Sequence, residues 1–296
     1  MFEIIHLAGN TYCFTMPTNV GIYLNDDNSV FLIDTGINDK SAQKILAALD
    51  EKGWSVKAVL LTHAHTDHAG GCRYITEHTG CKAYATEAER IFVEYPDLEP
   101  AMVFGSFPCC DFRTKVMNTP ACKVEDIREI ELPAGFEIFH LPGHFADMIG
   151  FRTPDDVYFT ADGVISPTTL ERSPMSYIFD VERQFETLEK IKSLDGKLCV
   201  PSHDAPTRNI ALLAQKNIEA LHKVNEDILE FLQTPQTAEV LAQMFADKWN
   251  LPQEFMYHVM TTSGVKAHLT YLRHKGRVEY FFEGAKMLWK KSDLFV

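Results

Sequence analysis

Thr62-His63-Ala64-His65-Thr66-Asp67-His68 is the stretch on which the reading of this chain turns. Three imidazoles and a carboxylate fall within six residues, directly after the apolar run Val56–Leu61. A buried strand that turns abruptly into a histidine-rich loop delivers ligands. Neutral imidazole and carboxylate are the donors that borderline divalent metals take. A polar loop that merely holds three histidines is the weaker reading, because more donors of the same kind follow. His144 stands in Leu141-Pro-Gly-His144, Asp162 in Phe159-Thr-Ala-Asp162-Gly163, and His203 in Cys199-Val-Pro-Ser-His203. Each comes shortly after a short β-like run: Glu137–Leu141, Val157–Thr160 and Leu198–Val200. Ligands placed at strand ends converge on one edge of a sheet. Seven donors are too many for one tetrahedral ion. The expected division is therefore two divalent ions, with His63, His65 and His144 on the first, Asp67, His68 and His203 on the second, and Asp162 bridging. Zn suits this set best, and Fe or Mn would also suit it.

Composition narrows the setting. The chain has 296 residues, 46% hydrophobic and 23% charged, as in an ordinary globular protein with a sizeable core. No run of about 20 apolar residues exists, so no membrane span is expected. The N-terminal Met1-Phe-Glu-Ile-Ile-His6 lacks the layout of a signal peptide. Seven scattered cysteines, an odd count without scaffold spacing, fit a reducing cytoplasm and small buried thiols. The net charge of −13 is uneven. Residues 205–296 carry 11 Lys and Arg against 10 Asp and Glu, which leaves 17 basic and 31 acidic side chains on residues 1–204. An acidic catalytic region repels polyanions in general. A small-molecule substrate is preferred over nucleic acid.

Along the chain, residues 2–7, 11–16, 19–24 and 29–33 read as strands, and Asp39–Lys52 as an amphipathic helix stopped by Gly53. A helix is expected to begin near His68. Residues 86–125 lack periodicity. They form either a partly apolar lid, if Phe104, Phe107 or Phe112 faces the metals, or a packed surface excursion. Ala205–Leu232, Thr237–Trp249 and Pro252–Lys275 read as helices, the last with a break expected at Gly264. Arg277–Phe282 and Met287–Lys290 read as a hairpin around Gly284. Three helices and a hairpin look like a winged-helix fold. Such a unit could grip nucleic acid through Lys266, Arg273, Lys275 and Arg277, but its charge near +1 favours packing beside the active site or forming a homodimer interface. His258, His268 and His274 have no ligand partners at useful spacing and are expected to be structural or surface residues.

The order His63-x-His65-x-Asp67-His68, Gly143-His144, Asp162-Gly163, His203 resembles the metallo-β-lactamase fold superfamily. The resemblance covers roughly residues 1–205. It implies an α/β chain with an αββα sandwich as catalytic domain (1–205), followed by a mostly helical, winged-helix-like domain (206–296). Leu32-Ile-Asp34-Thr-Gly36 is similar to the early Asp-Thr-Gly motif of that family. The resemblance makes Asp34 the group that orients a histidine ligand through its other ring nitrogen. With two metals, a bridging water becomes hydroxide near neutral pH. Asp67 would orient that hydroxide and take its proton, and no serine or cysteine nucleophile is needed. Tyr177 could serve as oxyanion donor or proton source and, with Phe145, marks the expected substrate pocket.

Some positions depart from the family. Phe145-Ala-Asp147 stands where thioesterase relatives usually place Thr or Ser and then Pro-Gly. His203 lies between Ser202 and Asp204 rather than between glycines. The C-terminal segment does not look like the glutathione-binding helices of glyoxalase II. Three activities remain: a dinuclear hydrolase of a small ester, thioester or lactone; a metal-dependent ribonuclease or phosphodiesterase; and a mononuclear iron persulfide dioxygenase. His65 argues against flavodiiron oxidoreductases, which place Glu there. The missing secretion signal argues against antibiotic hydrolysis.

Overall fold

Ser29–Ile33 is a strand with no exposed side chain, and the sandwich is built outward from it. The computed structural model describes residues 3–114, 117, 119–173, 175 and 177–292. Phe2, the first residue of an expected strand, and Lys115, Val116 and Asn118 of the 86–125 segment lie outside the described residues. The chain opens with an antiparallel meander of β1 (Glu3–Ala8), β2 (Thr11–Thr15), β3 (Val20–Leu24) and β4 (Ser29–Ile33). The helix α1 (Asp39–Asp50) crosses to β5 (Ser55–Leu60), which lies parallel to β4. Next come α2 (Thr66–Ala69), α3 (Cys72–Thr79), β6 (Lys82–Ala85), α4 (Glu87–Glu94), α5 (Leu98–Phe104) and β7 (Glu125–Asp126). Strands β1 to β7 form one sheet in sequence order. A second sheet contains β8 (Glu137–His140), β9 (Ile149–Arg152), β10 (Val157–Ala161) and, after α6 (Pro167–Arg172) and α7 (Val181–Lys192), β11 (Leu198–Pro201). Its order is β11-β10-β9-β8, with β11 parallel to β10.

Side-chain alternation explains the layers. In β4, Phe31 and Ile33 face the second sheet, while Val30 and Leu32 face α1 and α3. In β5, Ala58 and Leu60 join the first set and Val59 the second. Period-2 strands buried on both faces read as continuous apolar runs, as β4 does from Val30 and β5 from Ala58, past the exposed Ser55 and Lys57. Phe136, Phe151 and Phe159 fill the space between the sheets. Outside the second sheet, Leu188 and Ile191 of α7 pack with Leu141 and Met148. The result is the expected αββα order of layers.

The helix α1 starts where Asn38 accepts from the Ser41 N–H, and it ends at Asp50, two residues before the sequence expectation. The C-terminal part holds α8 (Ile210–Phe231), α9 (Ala238–Lys248), α10 (Phe255–His274) and the hairpin β12 (Val278–Glu283) with β13 (Lys286–Lys291). The expected break at Gly264 is absent. Gly264 is buried within an unbroken α10, and packing outweighs a propensity cost of about 1 kcal/mol. The first half of α8 (Ile210, Leu213, Ala214, Ile218, Leu221) belongs to the core beneath the second sheet. Its second half (Val224, Ile228, Leu229) belongs to a core shared with α9, α10 and the hairpin.

For residues 86–125, of the two readings the sequence left open, the packed excursion is the one found. Phe104, Phe107 and Phe112 do not cover the metal-loop residues. Phe112 is buried with Val103, Met117 and Val259, and Phe104 stacks on Phe112 and on Phe255 of α10. Phe107 is exposed, beneath Arg113. The segment is a packed excursion docked on α10.

His268, as expected, is structural. It is buried in α10, with Nδ1 2.9 Å from the Asn225 side-chain oxygen, and burial brings it down to about 3. Below about pH 6.5 the unfolded chain binds a proton that the folded chain refuses, so stability falls as pH drops from about 6.5 towards 3. Relative to His268→Gln, the wild type is expected to lose up to about 1.4 kcal/mol per pH unit over that window. Urea midpoints from pH 7 to 4.5 check this, and a constant difference between the two proteins contradicts it.

Candidate metal centre

His63 and His65 follow β5, Asp67 and His68 lie in α2, His144 follows β8, Asp162 follows β10 and His203 follows β11. The strand ends of two sheets therefore meet at one edge. Two links fix their distance: the Ile149 N–H donates to the Thr62 carbonyl (3.0 Å), and the Asn19 N–H to the Ser202 carbonyl (2.7 Å). The expected helix start near His68 is α2, which begins at Thr66. It is pressed against residues 35–37, where a Cβ at Gly70 would collide with the Ile37 and Thr66 carbonyl oxygens. Gly143, before His144, has φ +131 and no room for a Cβ beside the Gln184 backbone.

Asp34 orders the loop. Its φ is +65, a strained conformation for a residue other than glycine. Oδ1 accepts from the Thr62 N–H (2.8 Å). Oδ2 accepts from the Thr62 hydroxyl (2.8 Å) and from His68 Nδ1–H (2.8 Å). With its own hydrogen given to Asp34, the Thr62 oxygen accepts from Nδ1–H of His63 at 3.0 Å. Both histidines are thereby held as Nδ1–H tautomers with Nε2 lone pairs directed away from Asp34. His203 is fixed in the same way, its Nδ1 donating to the Pro17 carbonyl (2.8 Å).

Among the described residues, two groups of donors have ligand atoms within 4.8 Å of one another: His63, His65 and His144, and Asp67, His68, Asp162 and His203. In the first, His63 Nε2 and His144 Nε2 both face His65 Nδ1, at 3.1 and 3.0 Å. In the second, His203 Nε2 lies 3.2 Å from Asp67 Oδ2, and Asp67 also accepts from the Thr18 hydroxyl (3.1 Å). Asp162 lies between the groups. Its Oδ1 is 3.3 Å from His68 Nε2, and its Oδ2 is 3.5 Å from His144 Nε2 and 3.4 Å from His203 Nε2. His68 Nε2 and Asp162 Oδ1 are buried without a hydrogen-bond partner. Buried orphaned donors facing one another are what a cation satisfies, so the residues present fit a metal pair.

Protonation differs between the groups. Burial, with neighbouring imidazoles adding, holds His63 well below the ordinary range and brings His65 down to about 3; burial also lowers His144. These three stay neutral, the form that binds metal. In the second group burial opposes charge on His68, but Asp67, Asp162 and Asp34 outweigh it and hold His68 well above its usual value. His203 is raised to about 10, mainly by Asp162 against burial. Burial pushes Asp67 and Asp162 up, but the charges of His68 and His203 hold both below the carboxylate range. A cation held by this group would replace those protons.

The sequence reading missed two carboxylates from the 86–125 excursion. Glu89 of α4 is wholly buried and accepts from the Ala64 N–H (2.9 Å) and the Asp147 N–H (2.8 Å), so it ties the His63–His65 loop to the His144 loop. Burial pushes it up to about 8, against the pull of those two N–H groups. Glu99 of α5 lies 3.6 Å from His65 Nε2, and burial raises it to about 8. No local pattern marks either residue; each looks like an ordinary helix Glu. Phe145 is wholly buried with its ring 4.5 Å from His65, so it backs that imidazole rather than walling an open pocket. Tyr177 is half-buried, 5.7 Å from His65 and 6.2 Å from His144 between ring centres. Burial, then Glu99, raises its phenol, which keeps its proton. The cleft of about 560 Å³ between α9 and α10 contains none of these residues.

Comparison with known proteins identifies the class. Residues 14–203 match the metallo-beta-lactamase superfamily, and the chain belongs to it. It is a hydrolytic enzyme of that superfamily. It is 23% identical to a probable metallo-hydrolase, YqjP, of Bacillus subtilis (strain 168), over 92% of this chain and 93% of that protein. It is 26% identical to a hydroxyacylglutathione hydrolase of Brucella ovis, over 66% of this chain but only 65% of that protein. In fold it matches a beta-lactamase domain protein from Burkholderia ambifaria (TM-score 0.77, 16% identity, 98% of this chain and 93% of that one). It also matches a metallo-beta-lactamase family protein from Thermus thermophilus (TM-score 0.71, 19% identity, 95% and 98%).

Asp34→Asn keeps the tolerance for positive φ but turns an N–H₂ towards the Thr62 and His68 donors. It is expected to lower metal affinity about 10–100-fold. Glu89→Ala, which orphans two backbone N–H groups, should lower it in the same direction. Metal content after dialysis against graded chelator checks both, and wild-type retention in Asp34→Asn would overturn the role given to that residue.

Proposed function

We propose that the protein is a dinuclear metal-dependent hydrolase of a small ester, thioester or lactone. The observation that carries this reading is Asp162, one buried carboxylate facing both donor groups at once. His63, His65 and His144 would hold one divalent ion and Asp67, His68 and His203 the other, with Asp162 between; Zn suits the donors best. When bound, such ions lower the pKa of water and polarise an acyl oxygen. The chain's own groups do the rest. The Asp67 side chain is 30% exposed against 8% for Asp162, so Asp67 is the carboxylate open to orient water and take its proton. Tyr177 keeps its phenolic hydrogen and can donate it to the oxygen that gains charge. Phe145 keeps the His65 ring from turning.

Relatives named hydroxyacylglutathione hydrolases support an acyl substrate. The altered neighbours Phe145-Ala-Asp147 and Ser202/Asp204 favour an acyl compound other than a glutathione thioester. We take residues 1–205 as the catalytic unit and 206–296 as a winged-helix-like unit, with α8 shared between their cores. Two of the four cations that a nucleic-acid grip would use are already engaged: Lys275 with Glu182 (2.6 Å) and Arg277 with Glu226 (3.9 Å). This supports a small substrate. No helix among the described residues is long and apolar enough to cross a membrane.

The test is a panel of small thioesters, esters and lactones, run beside labelled single-stranded RNA and DNA on Zn-reconstituted protein, and beside a persulfide with oxygen uptake recorded on Fe(II)-reconstituted protein, with His65→Ala as blank in each. Turnover of acyl compounds is expected, with at least about a hundredfold loss in His65→Ala. Nucleic-acid cleavage alone, or oxygen uptake without hydrolysis, would overturn the reading.

A further inference from the structure

Cys72 and Cys122 are 50 residues apart in sequence, yet their sulfurs stand 3.4 Å apart. Cys72 opens α3, four residues after His68, and is fully buried. Cys122 lies just before β7, at the edge of a surface cleft of about 370 Å³ that Arg73, Thr76, Cys81, Lys82 and Lys123 also line. We propose that Cys122 and Cys72 form a peroxide-oxidisable pair, with Cys122 as the thiol that meets the oxidant and Cys72 as the thiol that resolves it. The oxidant class is a small hydroperoxide.

The geometry assigns the two roles. The Cys72 S–H donates to the Cys122 sulfur, and the Thr76 hydroxyl lies 3.6 Å from that sulfur. A thiolate is the nucleophile, and it forms where donors surround the sulfur. Cys122 is 6% exposed, so an oxidant meets it only through the cleft it lines, which a small hydroperoxide can enter. The hydrogen bond from Cys72 brings the Cys122 thiol down to about 7 against the effect of burial. Cys13 and Cys199, buried without such a donor, are pushed up to about 12 and stay inert. Being a small buried hydrophobe accounts for Cys13 and Cys199. It does not account for a thiol aimed at a second sulfur on a cleft wall.

In the first step the Cys122 thiolate attacks one peroxide oxygen. The O–O bond breaks, a sulfenic acid forms, and hydroxide or alkoxide leaves and takes up a proton. In the second step the Cys72 sulfur attacks the Cys122 sulfur. The S–O bond breaks, water leaves, and two thiols have been oxidised as one peroxide is reduced. The sulfurs must close from 3.4 Å to about 2.0 Å. The bond would close a loop that carries α4 and α5, and with them Glu89 and Glu99.

The experiment treats reduced, metal-loaded protein with rising hydrogen peroxide, then alkylates it and maps peptides by mass spectrometry without reduction. Loss of free Cys72 and Cys122 together is expected, as one linked peptide reversed by dithiothreitol, at lower peroxide than modifies the exposed Cys109 and Cys110. In Cys72→Ser, dimedone is expected to trap Cys122. The wild-type map stands by itself if a variant fails to fold. Oxidation of Cys109 and Cys110 while Cys72 and Cys122 remain alkylatable overturns the proposal, as does a Cys81–Cys122 link or a Cys72–Cys122 link formed only in urea.

Discussion

Asp34 carries the interaction on which the site depends. A carboxylate with almost no solvent contact accepts three hydrogen bonds, from the Thr62 N–H, the Thr62 hydroxyl and His68 Nδ1. Through Thr62 it also sets the tautomer of His63. One side chain on the first turn after β4 thus aims one donor of each group. A left-handed backbone at a non-glycine residue costs of order 1–3 kcal/mol and persists where the surroundings over-determine it. Here three bonds do so. Because β4 and β5 are parallel neighbours, Asp34 and Thr62 come at matching ends of adjacent strands. The pairing is a consequence of register.

At the ligand edge the two sheets then meet through polar links. The inter-sheet core of Phe31, Phe136, Phe151 and Phe159 fixes the spacing, but the ligand loops are tied across it by Ile149 to Thr62, Asn19 to Ser202, and Glu89 to both Ala64 and Asp147. Two of these bonds satisfy the N–H groups of buried residues, Ile149 and Ala64, that would otherwise be unpaired. Removing a partner costs more than the bond contributes. The centre is therefore coupled to the excursion at residues 86–125 through Glu89 and Glu99, and through Phe92, whose ring lies 4.9 Å from that of Phe145 behind His65. Phe104 and Phe112 hold the excursion to α10, and Glu89 and Glu99 reach inward.

The C-terminal helices act on the site at second hand. The first half of α8 completes the core under the second sheet, and its second half starts the core of α9, α10 and the hairpin. A single helix of 22 residues serving two cores links them mechanically. The ion pair Lys275–Glu182, between the turn after α10 and the first turn of α7, adds little energy at the surface.

Much of this was legible in the sequence. The first four strands, the helix and strand that follow them, the metal loop and its distant partners at three later strand ends all carry local signals: apolar runs of strand length, glycine stops, and histidine and aspartate just past the runs. The division into two donor groups followed from counting donors. Three features were not legible. Gly264 looks like a helix break and is not one, because burial overrides a weak local preference. Glu89 and Glu99 look like solvated helix residues and are buried, because their function is set by what lies across the fold. Cys72 and Cys122 look like unrelated small hydrophobes and stand sulfur to sulfur. Periodicity and spacing report only what neighbours along the chain require. Contacts between residues far apart in sequence depend on how layers stack, and that was decided by the tertiary structure.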